Sequence, residues 1–241
     1  MDRGTLIEQV RVGMVAFSSD GKRIGKVTLL CLALAACGQP TLSTEQATIS
    51  AEQVRGIAEG KMPMVRESVR HTGQGYPKAG FNNEQEVEMA RVGVPVERFL
   101  LGLEGLKALQ SGHALATLVT PNHFWQVPIT VNGEGRTAVH VRWTGSAWEW
   151  GGCCEQPSNS RNLTVVQQQF VHLSAPVKSI LVTSPTHYEH AVEVAWITEN
   201  DQDLLILLHA PTYFPVLREK VMKPYPALEL LTELTAVLSS E

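Results

Sequence analysis

Apolar and polar positions along the chain change period several times, and each change marks an element. Ser50 can cap a first helix with Gln53 reaching back to it, and Val54 and Ile57 follow on one face. His71 to Asn83 is rich in Gly, Pro and Asn and reads as a long surface loop. A short helix over Glu84 to Arg91 leads into an extended piece, Val94 to Gly102. From Phe124 to Gly151 three strand-like runs alternate with two turns: Phe124 to Val131, the turn Asn132-Gly133-Glu134-Gly135, Arg136 to Trp143, the turn Thr144-Gly145-Ser146, and Ala147 to Trp150. In the middle run Val139, Val141 and Trp143 share one face while His140 and Arg142 share the other, so one face is expected to pack and the other to meet solvent.

A helix-like stretch over Leu163 to Val171 separates this meander from a second one. Its strands are Val177 to Thr183, His190 to Thr198 and Asp203 to His209, with Glu199-Asn200-Asp201-Gln202 as the last turn. Leu204 to Leu208 is apolar on both faces, the mark of a central strand covered by a helix. A final helix starting at Pro226, with Leu228, Leu231, Leu234 and Val237 or Leu238 at helical spacing, suits that cover. The order of helices, meander, helix, meander and helix predicts an α+β fold with an antiparallel sheet built from two strand meanders and packed helices. Periodicity leaves open whether the meanders form one sheet or two half-sheets.

The most specific signal is a basic cluster, Lys22, Arg23 and Lys26, followed by the apolar run Val27 to Ala36. That is the layout of a secretory signal, and the run is shorter than the ~20 residues needed to span a bilayer. Leu34-Ala35-Ala36-Cys37-Gly38 resembles the lipobox of bacterial lipoproteins. The resemblance implies a diacylglyceryl thioether on Cys37, cleavage before it and acylation of the new amino terminus, with palmitate-like chains holding the protein to the membrane. It also implies an exported protein facing the periplasm or the cell exterior. Twenty-one residues precede Lys22, which makes Met14 an alternative to Met1 as the start.

This reading divides the chain into residues 1–36 as signal, 37–49 as lipidated cysteine and polar tether, and 50–241 as one α+β domain or two halves, 50–160 and 161–241. Cleavage leaves 15 basic and 21 acidic residues, so the formal charge moves from -4 to -6. A mildly acidic body has no electrostatic affinity for nucleic acid or for an anionic lipid surface. The stretch Gln126 to Glu134 with Gly145-Ser146-Ala147-Trp148 resembles uncharacterised exported bacterial proteins of the cystatin-like or PepSY-like kind, a likeness of hairpin chemistry that implies fold and no activity.

Candidate chemistry is sparse. His187 and His190, with His172 or His209, are candidate zinc or copper ligands, but Pro185 before them and a strand after them would turn the two rings apart. Cys153 and Cys154 form either a vicinal disulfide or two thiols that are unpaired or paired outside the chain. Four of five tryptophans, Trp125, Trp143, Trp148 and Trp150, fall in the first meander, as core or as a platform for a sugar ring or partner protein. No nucleophile elbow, phosphate-cradling glycine loop or paired-carboxylate segment stands out. The expectation is a membrane-anchored envelope lipoprotein, without catalytic activity or cofactor, that binds a partner protein or small ligand. The alternative is an envelope metal-binding protein or metal-dependent enzyme using His187 and His190.

Overall fold

A computed structural model describes residues 48–71, 76–153, 157–183, 191–210 and 214–239. The predicted signal, Cys37 and most of the tether therefore lie outside the described residues, as do Cys154, His187 and His190.

The first helix, α1 (Ala51–His71), begins as its capping residues require: Gln53 N–H donates to Ser50 Oγ (3.2 Å) and Ser50 N–H donates to Gln53 Oε1 (2.9 Å). Its buried stripe is Val54, Ala58, Met62, Val65 and Val69, at helical spacing. The loop before α2 (Glu84–Met89) does not stay at the surface, because Ala79 and Phe81 are buried in the same core as α1. Strands β1 (Arg91–Val92) and β2 (Val96–Gly102) follow, then α3 (Leu103–Gln110), the single turn α4 (Leu115–Leu118), and the meander β3 (Thr120–Val131), β4 (Glu134–Trp143) and β5 (Trp148–Cys153). Helix α5 (Pro157–Gln169) leads to the second meander, β6 (Lys178–Thr183), β7 (Val192–Glu199), β8 (Gln202–Leu207) and β9 (Pro224–Pro226), and α6 (Ala227–Ser239) ends the described chain.

All nine strands among the described residues belong to one sheet in the order β5-β4-β3-β2-β6-β7-β8-β9, with β1 pairing β3 beside β2. Every pairing among these strands is antiparallel except one. β2 and β6 run parallel, Arg98 opposite Ser179 through Gly102 opposite Thr183, and this seam joins β2, which pairs with the first meander at β3, to β6, the first strand of the second. The fold is α+β with a mostly antiparallel open sheet. The central strands are β2 and β6, whereas the leucine-rich β8 is second from the edge; it is apolar on both faces because helices cover both.

On one face, α1 packs on Val127, Ile129, Val131, Val139 and Val141, while α3 and α6 pack on Phe99, Leu101, Ile180, Val182, Val194 and Leu205. On the other face, Leu163 and Val166 of α5 and Phe170 just after it cover Val96, Ala195, Ile197 and Ile206. That second cover corrects the expectation for β4. Ala138 is buried and His140 half-buried, leaving only Arg142 of that face exposed to solvent. The close approach of α5 depends on Gly135: a Cβ there would collide with the Ser160 carbonyl oxygen and come within 2.6 Å of Thr164 Oγ1.

Candidate functional site

Strand alternation puts the four tryptophans of the first meander on one face. Trp150 is opposite Val141, Val141 opposite Trp125, and Trp143 opposite Trp148, their rings 5.8 Å apart and tilted by 54°. All four are half-buried; Trp125, Trp148 and Trp150 lie against the α1 core. The Trp150 indole Nε1 is buried without a hydrogen-bond partner among the described residues.

The same cross-strand row continues past the first meander. Trp125 is opposite Glu97 on β2, the seam brings β6 alongside, and Lys178 is opposite Trp196 on β7, followed by Leu205 and Tyr225. The fifth tryptophan thus joins the other four on one face. Lys178 Nζ lies 4.8 Å from the Trp196 ring centre and 5.3 Å from that of Phe99, a cation held over two aromatic faces. Phe99 and Trp196 meet edge to face at 5.9 Å, and Asp203 fixes the indole by accepting from Trp196 Nε1 (2.8 Å) and Thr198 Oγ1 (3.0 Å).

Glu97 and Lys178 are both half-exposed, and neither makes an ion pair within the described residues. Burial pushes the Glu97 carboxyl above its ordinary range, against the opposing pull of Lys178 and His123. His123 sits at the irregularity where β2 and β3 shift register, with φ at 49°. Trp196 and Phe99 are themselves buried in the core under α3 and α6, so what the row offers is the half-buried meander tryptophans for stacking, an ammonium for an anionic group and a carboxyl for a donor or cation. That is binding chemistry, and Glu97, Lys178 and Trp196 became visible only once the seam placed β2 beside β6.

The opposite side of β2 carries charge of another kind. Arg98 donates to Glu193 Oε1 (2.9 Å) and Gln126 Oε1 (3.2 Å), and its guanidinium lies 4.5 Å from the Phe124 ring centre. Asn159 of α5 donates to Glu193 Oε2 (3.1 Å). Arg98 is 8% and Glu193 6% exposed, so the cluster ties strands and helix together inside the protein.

The other predicted site residues are not brought together. Cys153 ends β5 opposite Val139, half-buried, and its neighbour Cys154 lies outside the described residues. Among the described residues, no group of three or more His, Cys, Asp or Glu side chains is placed to hold a metal, and no helix is long and apolar enough to cross a membrane. His172 comes within 3.7 Å of Glu199 at the surface, and His187, His190 and Cys37 lie outside the described residues. In comparisons with known proteins the chain matches no family model, no curated protein and no solved structure.

Proposed function

We propose that this protein is a lipid-anchored component of a bacterial cell envelope whose body works by binding, without catalysis, a partner protein or small ligand at the half-buried tryptophans, Glu97 and Lys178 of its sheet. The observation that carries the binding reading is the row Trp150-Val141-Trp125-Glu97-Lys178-Trp196, which spans both meanders and leaves Glu97 and Lys178 half-exposed between aromatic rings. Large rings beside charges without ion-pair partners are well suited to a ligand that stacks and pairs at once. The anchor rests on the order of basic cluster, apolar run and Leu34-Ala35-Ala36-Cys37.

Two measurements test the reading. A photo-crosslinking residue placed at Glu97 or Lys178 in cells should give an adduct of discrete mass, lost on Trp125→Ala, while the same residue at exposed Val171 should not. Equal labelling from all three positions would overturn the binding face. Cys37→Ser should move the protein from the membrane to the soluble fraction; unchanged partitioning would overturn the anchor.

A further inference from the structure

The tip of the β3–β4 hairpin, the residues before α2, and α5 line a groove of about 400 Å³. Two guanidinium groups line it. Arg136 is only 8% exposed: Nη2 donates to Glu86 (3.0 Å), Nη1 donates to Glu134 (2.8 Å), and Nε has no partner among the described residues. Arg161 is exposed on the same groove and makes no ion pair among the described residues.

The two carboxylates on Arg136 are not equivalent. Glu86 is built in, because the Asn82 backbone N–H and Nδ2 each donate to it at 2.8 Å, and these bonds with Arg136 hold its carboxyl below the ordinary range. Glu134 is 67% exposed and has Arg136 as its one side-chain partner among the described residues. The groove wall does not depend on it, since Gln168 Nε2 donates to the Gly133 carbonyl and fixes the hairpin tip to α5. An exposed carboxylate lent to a buried arginine, beside a second arginine without an ion pair, is the arrangement of an anion seat held by an internal stand-in.

We propose that this groove binds a small di- or tricarboxylate between Arg136 and Arg161, one ligand carboxylate displacing Glu134 from Arg136 Nη1. Nη1 already donates to a carboxylate, so a ligand carboxylate replaces Glu134 like for like. The test is calorimetric titration of the full-length protein with citrate, and separately with inorganic phosphate, at constant ionic strength. Citrate should bind saturably. Glu134→Ala should tighten it by removing the internal competitor, and Arg161→Ala should weaken it by about tenfold. Arg142→Ala, an equal loss of charge on an exposed part of β4, should leave the affinity unchanged. The proposal is overturned if citrate does not saturate either the wild type or Glu134→Ala, if Arg161→Ala and Arg142→Ala behave alike, or if phosphate binds in place of citrate. Glu134, Arg161 and Arg142 are exposed, so a change in affinity at an unaltered unfolding midpoint reports the groove and not the fold.

Discussion

Arg98 and Glu193, 95 residues apart in the chain, form a buried ion pair at 2.9 Å that links β2 to β7 across the intervening β6. Removing one member strands the other in the interior, so Glu193→Gln should cost about 3 to 5 kcal/mol in denaturant unfolding. The paired apolar replacement Arg98→Met with Glu193→Leu should recover most of that loss. A double-mutant cycle with no coupling between the two positions would show that the pair contributes nothing.

Glu86 links acid sensitivity to the junction of α2 and β4. Its carboxyl is lowered first by the Asn82 backbone N–H, then by the Asn82 side chain and Arg136, against an opposing effect of burial. A lowered folded-state value means stability that is present above the unfolded value near 4.5 and lost as pH falls through the folded value. Glu86→Gln should therefore lower stability at neutral pH and flatten the acid limb of the stability profile. An acid limb as steep as that of the wild type would show that other carboxylates carry it.

Glu97 should act with the opposite sign. Desolvation raises its folded-state value, so its ionisation opposes folding, and stability falls as pH rises from the unfolded value through the raised one. Glu97→Gln should stabilise the protein at neutral pH, and the gain should vanish at a pH low enough to protonate the wild-type carboxyl in both states. Thermal unfolding midpoints across that range measure it, and a gain that persists in acid would point to packing in place of charge.

Gly135 is where β4 and α5 approach too closely for a side chain. Gly135→Ala should cost about 1 to 3 kcal/mol, because the Ser160 carbonyl is backbone and cannot yield without moving the helix. Gly145→Ala tests the other kind of glycine. Its φ is 93° with nothing within 4 Å of the added Cβ, so the loss there should be conformational alone, about 1 kcal/mol.

Local chemistry made much of this fold legible. Ser50 and Gln53 announce the start of α1, and Asn132-Gly133 and Asn200-Asp201 form the hairpin turns, all four residues with positive φ. The start of α5 was harder to read, since Pro157 to Asn162 is polar and its contacts are hydrogen bonds such as Asn159 to Glu193 and Asn162 to the Leu208 carbonyl. The neighbour relation between β2 and β6 leaves no trace in periodicity, because it is a tertiary pairing of two apolar strands. Half of the candidate site depended on that relation: the meander tryptophans were visible as a cluster, whereas Trp196, Lys178 and Glu97 join them only through the seam.

The seam also sets the order in which the protein can assemble. Most other strand pairings join neighbours in sequence, so each meander can zip up from its own hairpins, but Arg98 meets Ser179 only after more than a third of the described chain has been brought round. Closing that long loop carries the larger entropic cost. β2 and β6 each expose an unsatisfied edge until the other arrives, so the topology predicts this ladder as the slow step of folding and its edges as the place where a newly made chain is most open to mispairing between copies.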